Sequence, residues 1–275
     1  MLSLCYELNM LTNYHTHSTF CDGRSTLEET VLAAIERGFS ALGFSGHGYT
    51  AFDVRTSMTD TRGYISEVNR LKERYKNEIQ IYLGVEEDML SPVERTDFEY
   101  IIGSSHYMHI GGRYYPLDLS RDNITDLLEI FDQNPVAMAE AYYGRFAAYL
   151  KDRRPDVVGH FDLLTKFDER LEPIFLGNLG YNAVAEKYLD SLAGDGLIFE
   201  VNTGAISRGY RTTPYPAENL LYILKRRGAG IILSSDCHRA EWIDCNFTEM
   251  KQYLRDIGFR EAYALYDREF IKYKL

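Results

Sequence analysis

The sequence of 275 residues predicts an α/β barrel, on two observations. Short apolar runs alternate along the chain with longer helical patterns, and most of its histidines fall at the ends of those runs. The alternation is the sequence form of repeated β-α units, and seven or eight such strands suggest closure into a barrel. With 45% hydrophobic and 26% charged residues, the chain can bury a full core and has the length of one barrel domain. That domain is expected over residues 1–275, with residues 1–9 as a short N-terminal extension.

The expected strands are residues 11–15, 41–47, 79–86, 100–106, 157–161, 198–202 and 229–235, with 262–266 as a possible eighth. Residues 27–37 repeat apolar side chains at helical spacing behind Ser25 and Thr26. Glu28 and Glu29 stand in the first turn, where the helix dipole favours anions, and Gly38 ends the pattern. Comparable helices are expected at 63–75, 124–131, 136–151, 179–192, 217–226 and 248–257. The longest insertion lies between His106 and His160; there Gly111 and Gly112, flanked by aromatics, read as a hairpin over 108–115 that would roof one end of the barrel.

Composition excludes several functions. No run approaches the roughly 18 to 20 apolar residues of a spanning helix, and residues 1–9 lack the charged and apolar regions of a signal peptide. A cytoplasmic protein with no membrane partner is expected. Cys5, Cys21, Cys237 and Cys245 show no CxxC spacing and read as reduced thiols. The net charge of −11 opposes binding to a nucleic acid backbone. It also opposes small anions, unless bound divalent cations invert the potential within one site.

Six of the seven histidines stand at or just past the C-terminal end of an expected strand: His15, His17, His47, His106, His160 and His238. Asp22, Glu86 and Asp236 join them at equivalent positions. In an α/β barrel these ends converge on one rim, where catalytic residues come from several strands. Each residue alone reads as an ordinary packing, turn or capping group, but nine of them at one end need a common purpose. In His15-Thr16-His17 and Asp236-Cys237-His238 the two-residue period of extended chain points each pair the same way. Imidazole and carboxylate without thiolate suit zinc, iron or manganese, and nine donors exceed the needs of one ion.

Arg208, in a glycine-flanked loop six residues past a strand, is placed to fork onto phosphate oxygens. Lys166, six residues after His160, is a second candidate phosphate cation. His109 is either a loop residue or a substrate contact. Cys21 and Cys237 read as structural.

The ordered motifs HxH (His15, His17), Asp22-Gly23, Ser-Gly-His47, Gly-Val-Glu86, Gly-Ser-Ser-His106, Gly-His160-Phe-Asp and Ser-Ser-Asp236-Cys-His238 resemble the polymerase-and-histidinol-phosphatase (PHP) superfamily. The likeness is greatest to its stand-alone histidinol-phosphate phosphatases and covers the chain from about Leu11 onward. The resemblance implies a distorted, TIM-like (βα)7 barrel with two or three divalent ions. It assigns His15, His17, Glu86 and Asp236 to one ion, with Glu86 bridging to a second held by His106 and His160. Asp22, His47 and His238 take the third, Asp22 standing where some relatives carry histidine.

The implied reaction hydrolyses L-histidinol phosphate to L-histidinol and phosphate through a metal-activated water. Arg208 would stabilise charge on the phosphate beside the ligands Glu86 and Asp236, and Asp162, Asp118 and Glu87 are candidates for the substrate amine. The expected partner is a small phosphorylated substrate, and the expected assembly a monomer or small homo-oligomer. Rival readings are a PHP enzyme acting on nucleotides or nucleic acid ends, a metal-dependent amidohydrolase, and a non-catalytic metal-binding module. An amidohydrolase normally lacks the Asp-Cys-His pairing, and the module should have lost ligands.

Overall fold

The computed structural model describes residues 10–275, so what the sequence suggests for Cys5 and residues 1–9 lies outside the described residues. In chain order the elements are β1 (Thr12–Asn13), α1 (Leu27–Glu36), β2 (Ala41–Phe44), α2 (Thr61–Tyr75), β3 (Gln80–Asp88), β4 (Tyr100–Ser104), β5 (Tyr107–Ile110) and β6 (Arg113–Pro116). There follow α3 (Arg121–Ile130), α4 (Pro135–Arg153), β7 (Val157–Val158), α5 (Leu179–Leu192), β8 (Ile198–Asn202) and α6 (Gly204–Ser207). The last are α7 (Glu218–Arg227), β9 (Gly230–Ser234), α8 (Phe247–Ile257), β10 (Glu261–Tyr266) and β11 (Glu269–Lys274).

Seven strands form one parallel sheet in the order β1-β2-β3-β4-β7-β8-β9. Right-handed crossovers place the helices outside such a sheet, and the whole is a distorted (βα)7 barrel. Its seam, between β1 and β9, is made differently from the other strand pairs. Just beyond the strands, Thr16 and Cys237 form a single parallel bridge, with His17 N donating to Cys237 O at 2.9 Å. Below it the side chain of Asn13 serves as a stitch, Nδ2 donating to Ser235 Oγ at 2.6 Å and Oδ1 accepting from Ser235 N at 3.2 Å. Both ends of the barrel sheet are thus joined next to the rim that carries the histidines.

Below the rim the barrel is filled by a buried tyrosine. Tyr100, 1% exposed, donates its hydroxyl to Tyr14 O at 2.6 Å and also reaches Phe44 O at 3.1 Å. A Cβ on Gly43 or on Gly84 would overlap this phenol, so the glycines of β2 and β3 make the space that it fills.

Local chemistry sets the element boundaries. Thr26 and Glu29 complete a reciprocal capping box at the start of α1, an arrangement that stabilises by about 1 kcal/mol. Asn134 accepts from Val136 N and Ala137 N to begin α4, with Pro135 at its first position. The hairpin expected over 108–115 is β5–β6, with Gly111 and Gly112 at φ 58° and 80°, as its two-residue turn requires.

One expectation is corrected. Residues 262–266 do not form an eighth barrel strand; they belong to β10, which pairs antiparallel with β11 in a separate two-stranded sheet. The cause is the tight turn at Asp267 and Arg268, both at positive φ (48° and 66°), which folds the chain directly back and leaves no room for a parallel crossover. Among the described residues, no helix is long and apolar enough to cross a membrane.

Candidate metal centre

All nine ligand-type residues meet at the C-terminal rim. Glu86, 1% exposed, stands at their centre. Its Oε2 lies 2.9 Å from His47 Nδ1, 3.3 Å from His15 Nε2 and 3.6 Å from His17 Nε2. Its Oε1 lies 3.0 Å from His160 Nε2 and 3.3 Å from His106 Nε2. Asp236 places Oδ1 3.2 Å from His17 Nε2 and 3.6 Å from His238 Nδ1. Asp22 comes from the loop after β1, with Oδ1 3.6 Å from both His17 Nδ1 and His47 Nε2 and Oδ2 3.3 Å from His238 Nε2. That loop is held to the far side of the seam by Arg24 N, which donates to His238 O at 2.7 Å.

This donor set fits divalent cations. Buried polar atoms are nearly always hydrogen-bonded. Here His15 Nε2, His17 Nε2, Asp22 Oδ1 and Glu86 Oε2 are buried without a hydrogen-bond partner, all facing the cluster. Three sets of donor atoms lie within 4.8 Å of one another: His17, Asp22, His47 and His238; His15, His17 and Glu86; and His47, Glu86 and His106. The grouping is tighter than the one implied by resemblance, because His17 and His47 each belong to two sets.

The electrostatics follow from burial and crowding. Burial, reinforced by the neighbouring His238 and His47, holds the His17 imidazole down to about 3, so it is neutral with a free lone pair. Burial also opposes charge on Glu86, yet the histidines around it, His106 first, hold its carboxyl well below the ordinary range. Asp236 behaves alike, with Arg208 the strongest opposing influence. At His15 burial favours the neutral ring, but Glu200, Glu86 and Asp236 together raise its pKa. Neutral imidazoles among ionised carboxylates are the state in which such groups ligate, and cations compete with protons for the remainder.

A cavity of about 590 Å³ opens above the cluster. Arg208 and Lys166 both line it. Arg208 uses Nη1 to reach Asp236 O and His238 Nδ1, both at 2.9 Å, and Nη2 to donate to Asp236 Oδ2 at 2.9 Å. Lys166 donates to Asp118 O at 2.7 Å, lies 3.3 Å from Asp118 Oδ2 and sits over the Tyr210 ring. Of the three candidates for a substrate amine, Asp118 alone lines the cavity. Burial raises its pKa, but Lys166 and the histidines of the cluster outweigh this and hold it down at about 2. Glu87 is instead fully buried beneath Arg153, whose Nε and Nη2 fork onto it at 2.7 Å each. Asp162 is buried beside Arg211 and accepts from Ala217 N.

His109 is not brought to the cavity. It shares a face of β5 with Tyr107, which does line the cavity, but stands two residues nearer the hairpin turn, where its ring stacks on Tyr114. Burial pushes the Cys21 and Cys237 thiols up to about 12, which keeps both as neutral thiols. Cys21, Cys237 and Cys245 are free.

Sequence reasoning missed two carboxylates around the cluster. Glu200, on β8, lies 2.8 Å through Oε2 from His15 Nδ1. Asp88 accepts from His106 N at 2.7 Å and lies 3.4 Å from His106 Nδ1. For Glu200 the available signal was an acidic residue inside an otherwise apolar strand, since such a group is almost never buried unpaired, whereas Asp88 merely ends the acidic run Glu86-Glu87-Asp88 of β3.

Comparison with known proteins identifies the family. The PHP domain family model matches residues 13–204. The probable histidinol-phosphatase of Schizosaccharomyces pombe is 27% identical over 269 residues, covering 89% of this chain and 86% of its own. That of Deinococcus radiodurans is 27% identical over 268 residues, covering 91% and 95%. The histidinol-phosphatase of Bacillus subtilis is 24% identical, covering 82% and 92%. Among solved structures, a putative histidinol phosphatase from Listeria monocytogenes superposes with a TM-score of 0.71 at 20% identity, covering 87% of this chain and 99% of its own. Histidinol phosphate phosphatase from Lactococcus lactis, complexed with zinc, L-histidinol and phosphate, gives 0.66 at 18% identity, covering 94% and 98%. With a family model that spans well over half of its length and the rim of histidines and carboxylates in place, this chain belongs to the PHP domain family.

Proposed function

We propose that the protein is a metal-dependent phosphomonoesterase that hydrolyses L-histidinol phosphate to L-histidinol and phosphate. The observation that carries this reading is the juxtaposition of buried, partnerless donor atoms on the cluster with a cavity that holds both Arg208 and Asp118. A phosphate ester that also bears an ammonium group is complementary to such a cavity. The names of the relatives, which match most of their length to this chain, support the same substrate.

His15, His17, Asp22, His47, Glu86, His106, His160, Asp236 and His238 would hold two or three divalent ions. Zinc is the metal of the Lactococcus lactis complex, and iron and manganese suit the same donors. Bound ions supply Lewis acidity toward phosphoryl oxygens and make water a competent nucleophile near neutral pH. Arg208, already charged and oriented by Asp236, presents its guanidinium where equatorial charge gathers on the phosphoryl group. Lys166 holds Asp118 ionised at the other side, where the substrate ammonium is received. His109, away from the cavity, has no part in this scheme.

The test is to purify the protein, measure zinc, iron and manganese per chain, and assay phosphate release from histidinol phosphate beside other phosphate esters and nucleotides. Two or three ions and a strong preference for histidinol phosphate are expected. Metal with preference for another ester would remove the substrate assignment and keep the chemistry.

A further inference from the structure

Glu200 is fully buried at the middle of β8 and takes no direct place in the cluster, yet its two oxygens are surrounded by four donors. Oε2 is 2.8 Å from His15 Nδ1 and accepts from Ser234 Oγ at 2.6 Å. Oε1 accepts from His160 N at 2.5 Å and from Asn202 Nδ2 at 2.8 Å. One carboxylate thereby joins groups on or just beyond four strands, β1, β7, β8 and β9.

We infer that Glu200 is the positioning residue of the metal centre: it fixes the His15 ring with Nε2 toward Glu86 and sets the backbone from which His160 reaches the same carboxylate. The inference rests on the reading of His15 and His160 as ligands. The geometry supports it from both sides. His15 Nε2, on the far side of the ring from Glu200, is buried without a hydrogen-bond partner and lies 3.3 Å from Glu86 Oε2. His160 Nε2 lies 3.0 Å from Glu86 Oε1, so the two rings held through Glu200 meet opposite oxygens of Glu86.

The residue type is demanded by the donor count. An ionised carboxylate only accepts, and can satisfy His15 Nδ1–H, Ser234, His160 N–H and Asn202 together. A glutamine of the same shape would turn an NH₂ group against two donors in a fully buried site. Acceptance by Glu200 also selects the His15 tautomer, leaving the Nε2 lone pair for a cation.

The experiment is a chelator-competition titration of the parent, Glu200→Gln and Ser234→Ala with zinc, followed by metal content and by circular dichroism of the metal-free proteins. Glu200→Gln is expected to keep its fold, to bind zinc roughly 10- to 100-fold more weakly at the positions served by His15 and His160, and to retain binding at Asp22, His47 and His238. Ser234→Ala, which removes one donor of the same network without touching either histidine, is expected to keep the parent affinity. Parent-like zinc binding by Glu200→Gln, or an equal loss in Ser234→Ala, would overturn the inference. A parent protein that binds no metal would instead sink the reading on which it rests.

If Glu200→Gln does not fold, the ring nitrogens of the unmutated protein decide. With ¹⁵N-labelled histidine and zinc bound, the signals lost in His15→Gln should show the proton on Nδ1; a proton on Nε2 with Nδ1 bare would refute the assignment.

Discussion

Arg208 grips Asp236 twice, Nη1 donating to its carbonyl and Nη2 to its carboxylate Oδ2, both at 2.9 Å, while Asp236 itself sits at φ 47°. Left-handed backbone at a residue other than glycine is held by its surroundings, and here the guanidinium is a principal restraint. The residue expected from sequence to bind phosphate therefore also braces a candidate ligand. Arg208→Ala is expected to lower kcat/KM by about 10²- to 10³-fold and, unlike a pure phosphate contact, to lower metal content as well. Parallel kinetics and metal analysis check this, and full metal content in the variant would confine Arg208 to the substrate.

Metal removal should act on stability as well as on turnover. Ligands that bind only the folded state stabilise it by mass action, about 2.7 kcal/mol at a hundredfold excess over Kd. Chelation is expected to abolish phosphate release and to lower the melting temperature by several degrees, with recovery of both on adding back zinc, manganese or iron. An unchanged melting curve would mean that the buried donors are satisfied without a cation.

Asp118→Asn separates recognition from chemistry. Asp118 is kept ionised beside Lys166 and lines the cavity without contacting the cluster directly. The expected outcome is a KM for histidinol phosphate raised about tenfold, corresponding to about 1.4 kcal/mol, with little change toward phosphate esters that carry no amine. An equal effect on both substrate types would assign Asp118 to phosphate or to folding.

The packing of Tyr100 gives a prediction about the barrel itself. Gly84→Ala forces a methyl group into the phenol ring, and overpacking of this kind costs typically 1–3 kcal/mol. Gly43→Ala meets the hydroxyl oxygen first, so Tyr100→Phe should relieve part of its cost, although it also removes the hydrogen bond to Tyr14 O. Chemical denaturation of the two single variants and the double variant measures the coupling; strict additivity would contradict the contact.

Cys21 and Cys237, held up at about 12 by burial, remain protonated through the neutral range. A raised thiol pKa means less thiolate at every pH below it, on the order of 10³ less at pH 8 than for a free cysteine. Alkylation of both should therefore be very slow in the folded protein and become rapid only on unfolding. Mass spectrometry after brief iodoacetamide treatment reads this directly; prompt labelling of Cys21 would show an open, reactive site.

Strand ends carrying histidine were legible because a barrel turns a linear pattern into a ring, and the parallel register puts each end at one rim. The helices were legible for a similar reason, as at α1, where Thr26 and Glu29 announce their own boundary. Less legible was anything decided by a turn or by distance in sequence. Residues 262–266 have the composition of a barrel strand, and only the two positive-φ positions after them turn them into a hairpin. Glu200 has no motif of its own: its partners His15, His160 and Ser234 lie 185, 40 and 34 residues away. His109 follows His106 closely, but β5 carries it toward the hairpin turn, where it stacks on Tyr114.

The seam between β1 and β9 has a consequence for how the molecule comes into being on the ribosome. His15 and His17 are made more than two hundred residues before Asp236 and His238, which lie across the seam from them. Until that final strand arrives, the early histidines face an open sheet edge. A nascent or truncated chain can build six of the seven strands while still lacking Asp236 and His238, so the full ring of nine donors is assembled only when the last barrel strand is in place.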